Sequence, residues 1–344
     1  MKIKYLILIL AAIIISCNEK SKPKEVASEP LTNEITIAFG SCAHSYDSLP
    51  IFDAVVSHNP AVWVWLGDII YGDSHDMAVL KGKYDLQKEK PEYRKLMASS
   101  KIIGIWDDHD YGINDGGKNY SKKDESKELL LDFLDVSEDD PVRDHDGAYS
   151  EYDISVGDKL VKFILLDTRY FRDTLDPDFG STARYLPNPE GDILGEQQWQ
   201  WFEKILRDSK ADFHVLGSGI QVIAEEQGYE KWANFPKSRE RLFNLLSEIN
   251  PKPLIIISGD RHIAEVSKID LPGLSYPLYD FTASGLTHTW GMYWDEPNRY
   301  RVDSLIAAKN FGLIIVDWQG KNPLVTLEVR GEQNELIQEI SVDY

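Results

Sequence analysis

Asp107, Asp108, His109 and Asp110 follow directly on the apolar run Ile102-Ile103-Gly104-Ile105-Trp106, so a hydrophobic stretch ends in consecutive ionisable side chains. Carboxylates packed that closely shift one another's pKa unless a cation or a basic group holds them. The same junction recurs along the chain. Cys42 follows the apolar run 35–39, Asp68 follows 62–66, Asp167 and Arg169 follow 161–166, and Asp260 and His262 follow 254–258. Brought together, a thiolate, several carboxylates and imidazoles make a donor set able to hold two or more cations. Each member alone has a plainer explanation: a solvated acidic turn at 107–110, a helix cap at Asp68, a satisfied core histidine at His262. Repetition of the junction is what favours a site.

The elements that must position these residues read as strands. Runs 35–39, 62–66, 102–106, 161–166, 213–216 and 254–258 are nearly continuous in Val, Ile, Leu and aromatic residues, as expected of strands buried on both faces. Helices are predicted between them over 49–58, much of 76–99, 124–134, 195–208 and 238–249. That alternation predicts a layered α/β domain, whose ligands gather in the crevice beyond the carboxyl ends of the strands. Strands predicted over 278–282, 312–317, 324–329 and 336–342 lie close together and imply a mixed or second sheet. Two loop-rich insertions, 170–194 and 284–308, have the length of lids or binding loops. The second holds Thr287-His288-Thr289-Trp290-Gly291-Met292-Tyr293-Trp294, either an apolar wall for a lipid or aryl leaving group or packing against the domain. Gln198, Trp199, Trp201 and Phe202 at helical spacing, and His214 inside its strand, are read as core.

With 344 residues and 42% hydrophobic content, the chain can bury a sizeable core as one large or two ordinary domains. Fifty-seven acidic residues against 37 basic ones give a net charge of −20, and no Lys/Arg cluster offsets it, so no nucleic-acid-binding surface is expected. Residues 1–17 have the basic start and short apolar run of an export signal, and Ile14-Ile15-Ser16-Cys17 resembles the lipobox of bacterial lipoproteins. The expectation is a lipid membrane anchor through acylated Cys17, a polar tether over 18–33, a catalytic domain over 34–344, and an extracytoplasmic, membrane-anchored location. Cys42 is then the lone thiol of the folded domain, open to three readings: inert burial, a nucleophile or a metal ligand.

Gly40-Ser41-Cys42, Gly67-Asp68-x-x-Tyr71-x-Asp73, Trp106-Asp107-Asp108-His109-Asp110-Tyr111-Gly112, Asp167-x-Arg169 and Gly259-Asp260-x-His262 together resemble, in order and over roughly residues 35 to 318, the motifs of the alkaline phosphatase D (PhoD-like) family of calcineurin-like metallophosphatases. The resemblance implies an αββα sandwich with two central mixed sheets. It also implies hydrolysis of phosphate monoesters or diesters by attack of a metal-bound hydroxide, with Fe3+ and Ca2+ as cofactors. Carried over, Cys42, Tyr71 and His262 become ligands of the iron, Asp68 a bridge, and Asp108 and Asp260 calcium ligands. Asp107 is a further calcium ligand or a support, and Asp110 orients its neighbours. His109 becomes the residue that steadies the transition state or protonates the leaving oxygen, and Arg169 the fork for phosphate, with a structural ion pair as its alternative. Longer relatives carry an N-terminal β domain, which is not expected here. The wider superfamily has Asp-x-His where this chain has Cys42, and its middle-motif histidine has no match near residues 217–219. Rival readings are a phospholipase C or phosphodiesterase in the same fold, a non-catalytic metal- or ligand-binding surface lipoprotein, and a cysteine hydrolase acting through Cys42.

Overall fold

The computed structural model describes residues 33–180, 184–291, 296–320 and 322–344. The expected export signal, Cys17 and nearly all of the tether lie outside them, as do residues 292–294 of the aromatic loop. In chain order the strands are β1 (Glu34–Gly40), β2 (Val62–Leu66), β3 (Lys101–Ile105), β4 (Ser150–Val156), β5 (Lys159–Leu166), β6 (Asp176–Pro177), β7 (Tyr185–Leu186), β8 (Phe213–Ser218), β9 (Leu254–Ser258), β10 (Ala264–Ile269), β11 (Leu278–Ala283), β12 (Arg301–Ile306), β13 (Asn310–Asp317), β14 (Leu324–Gly331) and β15 (Leu336–Asp343). The helices are α1 (Ile51–Ser57), α2 (Met77–Glu89), α3 (Pro91–Ser99), α4 (Asp108–Tyr111), α5 (Lys123–Phe133), α6 (Gly195–Asp208) and α7 (Pro236–Ile249).

Two mixed sheets form the middle of the molecule. One runs β15-β14-β13-β1-β2-β3, the other β12-β10-β11-β9-β8-β5-β4, and β6 and β7 pair by themselves. Parallel pairing is confined to β1-β2-β3 and to β11-β9-β8-β5. Along β9 the two faces alternate: Ile255 and Ile257 join the core between the sheets, while Leu254 and Ile256 join the cluster that includes Trp199, Phe202, Leu242 and Leu246 from α6 and α7. Both faces are apolar, so the alternation reads in sequence as an unbroken run. On the outer face of the first sheet, Phe52 of α1 and Tyr93 of α3 pack against Trp65 of β2, while between the sheets Phe39 of β1 meets Phe281 of β11 edge-on at 4.9 Å between ring centres. Each large side chain buried in this way stabilises the fold by roughly 1.5–3 kcal/mol. The layers are therefore helix, sheet, sheet, helix, as expected.

The helix expected over much of 76–99 is two helices. Pro91 has no N–H to continue α2 and starts α3 instead, while Lys90 before it is extended at ψ 130°. Strands β4 and β12 escaped the apolar pattern because they are edge strands with polar, charged residues, as in Arg301-Val302-Asp303-Ser304. The insertion 170–194 contains the β6–β7 hairpin, and 284–308 contains all of β12.

Candidate metal centre and active site

Each candidate ligand sits where a central strand stops. Beyond β1, Cys42 has φ 64°; beyond β2, Asp68 has φ 50°; beyond β9, Asp260 and His262 have φ 67° and 55°. A side chain with a Cβ occupies this left-handed region at a cost of order 1–3 kcal/mol, and stays there only where its surroundings fix it. Gly67 supplies the clearance: at φ 82°, a Cβ on it would stand 2.2 Å from Cβ of Asp107, so only glycine lets the end of β2 pass the loop after β3. That loop is tied down by Asp110, whose carboxylate accepts the Asp107 N–H at 2.6 Å and the Ile69 N–H at 3.2 Å. Asp110 thus joins the loops after β2 and β3 and orients its neighbours. Burial raises its pKa to about 7, against the pull of those N–H donors.

The strand ends bring the ligands together in three overlapping groups, within each of which the ligand atoms lie within 4.8 Å of one another: Cys42, Asp68 and His262; Asp68, Asp108 and His109; Asp107, Asp108 and Asp260. Cys42 Sγ is 3.4 Å from Asp68 Oδ2, and Tyr71 Oη is 3.5 Å from the same oxygen. Asp68 Oδ1, Asp107 Oδ2, Asp108 Oδ1 and His262 Nδ1 are buried without a hydrogen-bond partner. Unpaired polar atoms in an interior cost free energy each, and four spread over these overlapping groups fit cations. The donors divide by chemistry. Sulfur, nitrogen and phenol at one end suit a transition metal such as iron, and the all-oxygen group at the other suits a hard ion such as calcium.

Charge in the site points the same way. Burial, with neighbouring carboxylates, holds Asp68, Asp107 and Asp260 well above the ordinary carboxylate range. Asp108 lies below that range despite burial, because Arg169, His109 and the Asp115 N–H stabilise its anion. Burial raises the Cys42 thiol, with Asp68 adding to the effect. His262 is pushed down to about 3 by burial and by His288, which leaves a neutral imidazole with a lone pair for a cation.

The His109 ring lies tilted against Tyr71 at 4.3 Å between ring centres, and its Nδ1 lies 2.8 Å from Asp73 Oδ2. Burial opposes protonation of the ring, yet Asp68 and Asp73 raise its pKa to about 11. With Nδ1 engaged, Nε2 is the nitrogen left to exchange a proton.

Arg169 is not the phosphate fork expected of it. Its side chain is fully buried, with Nη2 2.6 Å from Asp107 Oδ1 and Nη1 2.6 Å from Glu230 Oε2, and Arg172 Nε lies 2.9 Å from Glu230 Oε1. Two arginines and two carboxylates so paired have no face left for substrate. The ion-pair alternative holds, and Arg169 positions Asp107 instead.

Gln198 and His214 are structural, as read from sequence. Gln198 clamps the end of β5 by accepting the Asp167 N–H and donating to the Asp167 carbonyl, while His214 pairs with Ser209 and the Lys252 carbonyl. The aromatic loop lies over the ligands: His288 stacks on His44 at 4.3 Å and Trp290 on His262 at 4.3 Å, while Thr287 Oγ1 donates to the Cys42 carbonyl. Sequence reasoning assigned no role to His44, Asp73, Asp115, Arg184, Glu230 or His288. Asp73 stood in a quoted motif and His44 two residues past Cys42, but the other positions carry no spacing signal.

A cavity of about 110 Å³ opens above the ligands, lined among others by Tyr71, Asp108, His109, Arg184, Asp260 and His262. Among the described residues, no helix is long and apolar enough to cross a membrane.

Comparison with known proteins identifies the family and the fold. The profile of the family described as PhoD-like phosphatase matches residues 37–290. Alkaline phosphatase D of Bacillus subtilis (strain 168) is 23% identical over 288 residues, covering 73% of this chain and 49% of the relative. The chain thus spans about half the length of that curated relative. A solved structure of PhoD superposes with a TM-score of 0.66 at 16% identity, over 90% of this chain and 72% of its own, and so shares the fold. A family profile that spans most of the domain, with the site motifs in order inside it, places this chain in the PhoD-like phosphatase family.

Proposed function

We propose that the protein is a metal-dependent phosphoesterase, with iron held by Cys42, Tyr71 and His262, calcium by Asp107, Asp108 and Asp260, and Asp68 between them. The observation that carries the reading is the set of buried, partnerless ligand atoms on Asp68, Asp107, Asp108 and His262. When bound, such cations activate water and neutralise charge on phosphoryl oxygens. The chain's own residues do the rest. Asp110 and Arg169 fix the loop that carries Asp107 and Asp108. Asp73 holds His109 by Nδ1, which leaves Nε2 to hand its proton to the departing alkoxide, a far stronger base than imidazole.

The direct test is metal analysis of the purified protein beside a panel of phosphate monoesters and diesters. Hydrolysis abolished by a chelator is the expected result, and the ratio of diester to monoester turnover assigns the substrate class. Stoichiometric metal with no turnover on any ester would make the protein a binding lipoprotein instead. Cys42→Ala is expected to lower iron affinity by at least the roughly 10- to 100-fold that even an outer-shell change costs, and activity with it. Full retention of iron and activity, read by elemental analysis and assay together, removes Cys42 from the centre.

A further inference from the structure

With Arg169 sealed in the interior, a phosphate-binding cleft still needs a cation that substrate can reach. Two guanidinium groups line the cavity, those of Arg184 and Arg261. Arg261 is buried and its Nη2 is committed to Glu296, whose two carboxylate oxygens lie 2.7 and 2.8 Å away, and the guanidinium lies 4.7 Å from the centre of the Tyr229 ring. Arg184 differs in its exposure, although its guanidinium also lies over an aromatic ring, 5.7 Å from the centre of Tyr185. Its side chain is 48% exposed, and its one carboxylate contact is Nη2 to Asp115 Oδ2 at 3.1 Å. A half-exposed guanidinium on the cavity wall suits the oxygens of a phosphoryl group.

The placement of Arg184 is also tied to the metal centre. Asp115, at φ 53°, donates its backbone N–H to Asp108 Oδ2 at 2.6 Å, while its side-chain Oδ2 meets Arg184 and accepts from the Tyr185 hydroxyl. The Arg184 N–H is anchored on the Gly228 carbonyl at 2.6 Å. One loop residue therefore sets the distance between a candidate metal ligand and the cleft's accessible cation. A second cavity of about 250 Å³, lined by Lys118, Asn119, Thr174 and Tyr185 among others, shares Asp115 with the cleft.

We propose that Arg184 grips the non-bridging oxygens of the substrate's phosphoryl group, and that Asp115 is the residue that positions it. This rests on the phosphoesterase reading for its substrate. The probe is inorganic phosphate, titrated calorimetrically into the metal-loaded full chain, beside steady-state kinetics on an aryl phosphate. Arg184→Gln is expected to weaken phosphate binding and raise KM by about 10- to 100-fold, the range of a lost hydrogen-bonded charge contact, with metal content unchanged and kcat falling less than KM rises. Arg184→Lys recovers part of the affinity. Asp115→Asn, which tolerates the left-handed backbone and keeps the N–H to Asp108, shifts phosphate affinity in the same direction by less.

Wild-type phosphate affinity in Arg184→Gln with its metals intact overturns the proposal, and so does loss of metal in that variant. Arg184-dependent phosphate binding without hydrolysis of any ester by the wild type would sink the phosphoesterase reading and leave this contact standing. A wild type that binds no phosphate removes the contact, whatever it hydrolyses.

Discussion

His109→Asn is expected to lower kcat by about 10² to 10⁴, the usual contribution of a positioned general acid, while metal content and KM change little. The ring lies on the cavity wall, tilted against Tyr71 and held through Nδ1 by Asp73, so its orientation is set before substrate arrives. Neither contact survives in asparagine at the same reach. The informative measurement is the dependence on leaving group. An aryl phosphate releases a stabilised phenolate that needs little protonation, whereas an alkyl phosphate releases a strongly basic alkoxide, so the loss is expected to be larger for the alkyl ester. An equal loss for both would make His109 a stabiliser of charge rather than a proton donor. Undiminished kcat on both would take it out of the reaction.

The second large effect is on stability. Arg169→Leu leaves Asp107 and Glu230 facing each other across an apolar side chain, and breaking a buried pair in this way costs about 3–5 kcal/mol. Arg172, on the other oxygen of Glu230, cannot serve both carboxylates at once. Urea unfolding of the metal-free protein reads the cost directly, since bound cations would otherwise contribute by mass action. Exposed Arg184→Gln should by contrast stay within about 0.5 kcal/mol of wild type. A cost below about 1 kcal/mol for Arg169→Leu would mean that the network is not what holds the Asp107 loop.

The two arginines also mark what could be read from the chain and what could not. Cys42, Asp68, Asp107, Asp108, Asp260 and His262 were legible because each follows an apolar run, and a strand buried on both faces delivers whatever follows it to the sheet end. Arg169 was found by the same rule but given the wrong task. Sequence places it after β5 yet cannot say whether its long side chain turns outward or back, and the partner that turns it back, Glu230, lies in a loop with no period to betray it. Arg184 and Asp115 were missed for the same reason: they meet through tertiary contact between a hairpin and the loop after α4. The long apolar strands were legible, but the interior strand β10, with Glu265, Ser267 and Lys268 among its residues, was not. Polar β4 and β12 lack the continuous apolar signal, and Pro91 divides one expected helix into two.

Cys42, Asp68, Asp107 and Asp108 come from the β1-β2-β3 sheet, whereas Asp260 and His262 come from the end of β9 in the other, and Cys42 Sγ reaches the Asp260 carbonyl across 218 positions of sequence. No contiguous stretch of chain owns the centre. A complete cation site therefore exists only once the two sheets have docked, and bound ions would act as a latch across them. Metal occupancy then becomes a gauge of intactness: any insult that lets the two layers drift apart should release ions while each layer still keeps its own hydrogen bonds.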